Sequence, residues 1–141
     1  MTNPNLVTNG GFEQPLAAPQ TPPPFWSGSG STETGGTQLL GNNNAVLDLG
    51  ENISQTISPL VVGETYTFQA ALSTGAGAGT IDIDITGNST RKFQSAKITG
   101  AYAMYNFDFV ATSTSTTLTI TNNSTTAATT LKVDVVSVKL A

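Results

Sequence analysis

Apolar and polar residues alternate with a period of two along most of this 141-residue chain. Residues 81–85 show the pattern most clearly, because three isoleucines there alternate with Asp82 and Asp84. Successive side chains of an extended strand point to opposite faces, so a segment of this kind buries one face and exposes the other. The alternation therefore predicts β-strands that each contribute one face to a core.

The same alternation recurs in further segments, at 45–49, 53–57, 66–72, 105–109, 118–120 and 132–140. Clusters of glycine and asparagine, which favour turns, separate these segments. No segment has the 3.6-residue period of a convincing amphipathic helix. Short strands at nearly regular spacing predict an all-β fold, a two-sheet antiparallel β-sandwich of the jelly-roll type.

The length of the chain predicts a single domain that spans residues 1–141. Residues 1–4 are predicted to form a flexible tail. Residues 15–24 hold most of the prolines and are predicted to form an extended surface loop. The glycine-rich residues 75–79 are predicted to connect two strands as a flexible hairpin.

Composition narrows the classes of function. The chain has neither histidine nor cysteine, which excludes Ser-His and Cys-His catalysis and zinc sites built from those ligands. The net charge of −4 gives no electrostatic support for binding nucleic acid, and no apolar run is long enough for membrane insertion. Charged residues make up only 10% of the chain, and a surface of neutral hydroxyls and amides favours an extracellular or cell-surface location.

A carboxylate interrupts the last predicted strand. Strict alternation places Asp134 on the same face as the apolar residues Val136 and Val138. An acid on a buried face must be ion-paired, hydrogen-bonded or bound to a cation. Lys132 and Arg91 are candidate partners, and backbone amides are an alternative.

Three further polar residues are candidates for a binding site. Asp82 and Asp84 share one strand face, which favours a solvated surface, or contact with a sugar if that face is concave. Glycosidase chemistry would need one carboxyl group in an apolar pocket, and the flanking sequence is rich in Thr and Gly. Gln55 is in phase with Ile53 and Ile57, so it is either a buried amide satisfied by the backbone or a hydrogen-bonding group in a groove.

The segment 5–13, with the sequence NLVTNGGFE, resembles the opening of the galactose-binding-like jelly rolls. The segments at 45–49, 53–57, 62–68, 107–111 and 133–138 follow in a similar order. Proteins of this kind include the carbohydrate-binding modules of families 4, 9 and 22, and a plant and bacterial cell-wall domain family of unknown function. The resemblance covers nearly the whole chain and implies a two-sheet jelly roll.

The resemblance also implies a structural calcium ion between the N-terminal turn and the last strand. Glu13 and Asp134 would supply carboxylate oxygens, and Asn9 in the same turn is a third candidate ligand. Calcium takes about six to eight oxygen ligands, so backbone carbonyls would complete the shell. The related proteins often have two acids in tandem at this position, whereas here Val135 follows Asp134.

Sugar-binding modules stack exposed aromatic rings on pyranose rings, so the resemblance draws attention to aromatic residues outside the core pattern. Trp26 follows the proline-rich segment and is either a platform for a sugar or a plug in the sandwich. Phe25 lies beside it. Tyr102 stands where relatives usually have tryptophan, and its small neighbours predict an exposed ring.

These observations predict a non-catalytic protein that binds a neutral polysaccharide or glycan outside the cell. The alternative is a structural or assembly subunit of a surface coat, filament or appendage, in which the chain would self-associate. An enzyme is disfavoured, because no residue pattern activates a nucleophile or a water molecule.

Overall fold

A computed structural model describes residues 3–13, 20–33, 43–74, 78–86, 92–99, 101–124 and 130–141, and for residues 78 and 92–99 it describes the backbone alone. The strands are β1 Ser27–Gly28, β2 Ser31–Glu33, β3 Asn44–Leu47, β4 Asn52–Ile57, β5 Thr65–Ser73, β6 Ala78–Thr86, β7 Lys92–Thr99, β8 Ala103–Val110, β9 Thr116–Asn122 and β10 Leu131–Leu140. No helix occurs in these residues, which confirms the all-β prediction.

The strands form two antiparallel five-stranded sheets. Sheet A has the order β1-β4-β9-β6-β7, and sheet B has the order β2-β3-β10-β5-β8. The chain crosses between the sheets repeatedly, so that neighbours in a sheet are mostly distant in sequence. This arrangement confirms the predicted two-sheet jelly roll.

The alternating apolar residues meet between the two sheets. Ile53, Ile120 and Ile83 form one row across the inner face of sheet A, and all three are buried. Phe68 on β5 is also fully buried and contacts the ring of Phe107 on β8, with ring centroids 5.2 Å apart. Burial of each large apolar side chain contributes about 1.5–3 kcal/mol, so these inner faces hold the sandwich together.

A β-bulge in β10 changes the face that its side chains occupy. The register with β5 shifts between Asp134 and Ser137, and Val135 has a φ of 46°. Val133 before the bulge and Val136 after it are both buried in the core, although strict alternation would separate them. The bulge inserts one extra residue and reverses the phase.

The predicted face of Asp134 was therefore wrong. Asp134 pairs with Ala71 one residue after Val133 pairs with Leu72, so Asp134 points to the outer face of sheet B and not to the core. It nevertheless has no exposed surface. A bulge cannot be read from the alternation, because the segment remains apolar on both sides of it.

The N-terminal segment runs alongside β10 and covers part of the outer surface. The amide of Leu6 donates to the carbonyl of Val138 at 2.9 Å, and the amide of Val136 donates to the carbonyl of Gly10 at 2.9 Å. The side chain of Asn5 bridges the same two strand residues, because it donates to Val136 and accepts from Val138. The two ends of the chain therefore meet at the bulge.

Two of the predicted irregular segments lie partly outside the described residues, namely 1–2 of the tail and 15–19 of the proline-rich loop. The side chain of Asn3 donates to the carbonyl of Leu140, and the carbonyl of Gln20 accepts from the amide of Thr32.

The predicted hairpin at 75–79 was wrong, because β5 lies in sheet B and β6 in sheet A. Residues 75–77 themselves are outside the described part. In the residues that the structure describes, no helix is long and apolar enough to span a membrane.

The contact between the N-terminal turn and the bulge leaves no room for a side chain at Gly10. A Cβ atom there would lie 2.1 Å from the carbonyl oxygen of Val136. We expect Gly10→Ala to lower the free energy of unfolding by roughly 2–3 kcal/mol, since overpacking against backbone forces a shift of the segment. Urea unfolding measures the change.

Gly11→Ala is the matched control, because the nearest atom to its Cβ would be Cγ of Glu13 at 3.9 Å. We expect this variant to stay within about 0.5 kcal/mol of the original protein. Equal stability of the two variants would contradict the proposed docking of the turn.

Candidate functional site

Trp26 belongs to the core. Only 4% of its surface is exposed, and its ring stacks on the ring of Phe12 with centroids 5.5 Å apart. Its indole N–H donates to the carbonyl of Asn9 at 3.1 Å. Of the two predicted roles, this geometry favours the plug, because neither ring face is open to a sugar.

Phe25, the neighbour of Trp26, has its ring in solvent with 62% exposure and a φ of 70°. Gln55 holds this loop in place. Its amide N–H group donates to the carbonyls of Phe25 at 3.1 Å and Thr8 at 2.9 Å, and its oxygen accepts from the amide of Thr8 at 2.7 Å. The backbone therefore satisfies the amide of Gln55, although the residue is half-buried and not fully buried as the first of its two predicted roles had it. The residue ties two loops to β4.

Two rows of polar side chains cross the outer face of sheet A. The strand register defines them as Asn52, Thr121 and Asp82 in one row, and Ser54, Thr119 and Asp84 in the next. All six side chains are half-buried. Asp82 and Asp84 thus share a face, opposite the buried isoleucines, as the alternation predicted.

The carboxylate of Asp82 has spare hydrogen-bonding capacity. Its Oδ1 atom is buried and has no hydrogen-bond partner among the described residues. A buried carboxylate oxygen without a donor is costly, and the Asp82 side chain as a whole is only half-buried on this face. The surrounding Thr119 and Thr121 offer hydroxyls that both donate and accept.

Tyr102 is half-buried, and its hydroxyl group is buried without a hydrogen-bond partner in the described part of the chain. Burial raises the pKa of this phenol well above its ordinary value, and the carboxylates of Asp134 and Glu33 raise it further. The predicted exposure of the ring is therefore not observed. The residue points its hydroxyl towards a buried polar cluster on sheet B.

That polar cluster lies where β2, β3 and β10 meet. Lys132 forms an ion pair with Glu33 at 2.8 Å, and the amide of fully buried Asn44 donates to the same carboxylate at 3.1 Å. Asp134 accepts from the amide of Val135 at 2.8 Å. Lys132 thus pairs with Glu33 and not with Asp134, while the alternative cation, Arg91, lies outside the described residues.

Glu33 is a residue that the sequence reasoning missed. It lies at the end of β2, a strand of only three residues that shows no alternation over a useful length. The one signal available was the pair of opposite charges at Glu33 and Lys132, and their separation by 99 positions hides it.

Glu13 and Asp134, two of the three predicted calcium ligands, belong to segments that meet at β3. Glu13 Oε2 accepts from the amide of Asn43 at 2.8 Å, just before β3, and Ala45 on β3 pairs with Val133 on β10. Glu13 and Asp134 therefore lie at the same end of these two strands.

Asn9, the third predicted ligand, holds the loop that precedes Trp26. Its side-chain amide donates to the carbonyl of Pro24 at 2.9 Å, and its own carbonyl accepts from Phe12 and from Trp26. Within the described part of the chain, no group of three or more acidic, His or Cys side chains is placed to hold a metal ion. A calcium site here would need amide and backbone oxygens beside the two carboxylates.

The environment of Tyr102 predicts a pH dependence of stability. The folded state holds the phenol proton more tightly than the unfolded state, in which the pKa is near the ordinary 10.0. The free energy of unfolding therefore has its full value below about pH 10 and declines above it. We expect Tyr102→Phe to reduce the loss of unfolding free energy between pH of about 9 and about 11. Urea unfolding at each pH measures it.

The control is Tyr105→Phe, which removes the same group from β8. An alkaline loss in Tyr102→Phe as large as in the original protein would show that this phenol does not contribute.

Comparisons with known proteins establish the fold. No family model and no curated protein sequence matches the chain. Among solved structures, the chain is similar to TmCBM61 in complex with β-1,4-galactotriose, with a TM-score of 0.72, 15% identity, and coverage of 98% of this chain and 99% of that one.

Two further solved structures show the same similarity. For a family 4 carbohydrate-binding module the TM-score is 0.67, with 19% identity and coverage of 96% of this chain and 99% of that one. For the xylan-binding domain of family 22 the TM-score is 0.69, with 14% identity and coverage of 97% and 96%. This chain has the jelly-roll fold of carbohydrate-binding modules, as the resemblance implied.

Proposed function

We propose that this chain is a non-catalytic module that binds a neutral polysaccharide or glycan on the outer face of sheet A. The two polar rows that contain Asp82 and Asp84 carry this proposal. They present hydroxyl, amide and carboxylate groups side by side on rigid strands, at about 5 Å from strand to strand.

The chemistry of these rows suits sugar hydroxyls. A carboxylate accepts hydrogen bonds from hydroxyl groups more strongly than a neutral oxygen does. The half-burial of the rows means that a ligand displaces water from positions that are already partly enclosed.

The similar solved structures support the ligand class. One was determined with a bound galactotriose, and another is a xylan-binding domain. Each matches nearly the whole of this chain. Because Trp26 is buried, binding here would depend on hydrogen bonds more than on stacking, and single-site affinity would be low. Several copies on one polysaccharide would raise the overall affinity.

Replacement of the two carboxylates tests the site. We expect Asp82→Asn/Asp84→Asn to weaken binding to β-1,4-galactan or xylan by about tenfold or more, since a hydrogen bond to a charged group is worth roughly 1.5–3 kcal/mol. Affinity gel electrophoresis and a glycan array measure the change.

Asp108→Asn is the control, because it removes a carboxylate from sheet B, where Asp108 accepts from Thr67. Binding should survive in this variant. Retention of full binding by the double variant would exclude the sheet A face, and failure of the original protein to bind any neutral glycan would exclude the function.

The same proposal includes a calcium ion as a brace between the ends of the chain. Glu13 and Asp134 would hold it, together with backbone carbonyls of the N-terminal turn. The complete burial of Asp134 supports this, because it encloses carboxylate oxygens of the kind that calcium binds. The ion would link the two segments and stabilise the fold without contact with the glycan.

Thermal unfolding with calcium and with a chelator tests the brace. We expect calcium to stabilise the protein by roughly 3 kcal/mol at a hundredfold excess over its Kd, and Asp134→Asn to abolish this response. Asp84→Asn should keep it. If the original protein melts at the same temperature with calcium and with the chelator, the calcium brace is excluded. Asp134 would then be satisfied by hydrogen bonds such as that from the amide of Val135.

An extracellular or cell-surface location is part of the same proposal, and it is supported by the low content of charged residues.

The alternative function, an assembly subunit, is favoured by one observation. The eight-residue strand β8 lies at the edge of sheet B, and Met104 and Val110 on it are exposed. Long exposed edges can pair with another chain. Light scattering without any glycan would reveal such self-association.

A further inference from the structure

A cleft opens on the outer face of sheet B, on the other side of the molecule from the polar rows of sheet A. Its volume is about 340 Å³. Its lining consists of Asn5, Gly11, Gln69, Met104, Val135, Val136, Ser137 and Lys139. The volume is within the range of sites that take small molecules, roughly 300–1,000 Å³.

The bulge of β10 and the N-terminal segment create this cleft. Val135, within the bulge, lines the floor with a φ of 46°, a conformation that β-branched residues rarely adopt. Asn5 lies on one wall and is hydrogen-bonded to Val136 and Val138, while Met104 of β8 lies on the opposite wall. The cleft thus depends on a locally strained backbone, which is a common property of binding sites.

The polar groups inside the cleft are not used by the fold. Within the described part of the chain, the side chains of Gln69, Ser137 and Lys139 make no hydrogen bond or ion pair. Gln55, by contrast, uses its whole amide to hold two loops. An amide, a hydroxyl and an ammonium group that converge without partners are suited to a ligand.

The charge of the cleft selects the ligand class. Lys139 is the single charged residue in the lining. Asp108 lies on β8 in the same row as Lys139, with Thr67 between them, and its carboxylate accepts from Thr67. Asp108 is not part of the lining, so the charged group of the cleft itself is a cation, which attracts a ligand that carries a negative group.

We infer that this cleft binds a carboxylate-bearing sugar unit of an acidic oligosaccharide. Lys139 would pair with the carboxylate, and Gln69 and Ser137 would bind the hydroxyl groups. The exposed thioether of Met104 would contact the apolar face of the ring. This site is separate from the sheet A face and would add recognition of acidic sugars to the binding of neutral ones.

The test uses trigalacturonic acid and the neutral β-1,4-galactotriose as probes, with NMR titration of the backbone amides. We expect trigalacturonic acid to shift the signals of Gln69, Met104 and Ser137. Lys139→Gln should weaken this binding by about tenfold or more, whereas Lys139→Arg should retain it. Gln69→Ala provides a second variant, with a smaller expected loss.

Asp82→Asn/Asp84→Asn separates this site from the site on sheet A, because it should leave the response to trigalacturonic acid unchanged. The inference is overturned if the acidic probe causes no shift in the cleft, if Lys139→Gln binds it as well as the original protein does, or if the neutral probe shifts the same signals equally. The first two of these results do not bear on the binding of neutral glycans to sheet A.

Discussion

The docking of the N-terminal segment onto the bulge of β10 is the constraint on which the rest of this structure depends. The paired amides and carbonyls of Leu6 with Val138 and of Val136 with Gly10 hold the first residues of the chain against the last strand. Gly10 is in contact with the backbone of β10, where no side chain fits. Buried backbone groups must be paired, and the hydrogen bonds between β3 and β10 end at Val133. The bonds from the N-terminal segment replace them beyond that residue.

The two faces of the sandwich offer different chemistry as a result. Sheet A has a regular register, so its outer face carries straight rows of hydroxyl, amide and carboxylate groups around Asp82 and Asp84. Sheet B is interrupted by the bulge, so its outer face has a depression with a single cation, Lys139. The outer face of a regular sheet suits an extended neutral polysaccharide, whereas a depression suits a single charged sugar unit. The proposed neutral and acidic sugar sites follow from this difference.

Prediction from sequence succeeded wherever one local rule decided the outcome. The isoleucines at 81, 83 and 85 are buried and Asp82 and Asp84 face outwards, since alternation alone sets these directions. It failed for Asp134, because the extra residue at Val135 reversed the phase. It left the roles of Trp26 and Gln55 open, since their partners Asn9, Phe12, Thr8 and Phe25 come from other segments.

The amino-acid sequence by itself determined most of the strands and their faces, the absence of histidine and cysteine chemistry, and the jelly-roll class, because these depend on the period and composition of short segments. The tertiary structure decided which residues share a site. Glu33 meets Lys132 across 99 positions, and Gln69, Met104 and Ser137 come together from three strands. Contacts between distant segments depend on sheet order and on the bulge, and neither has a periodic signal in the sequence.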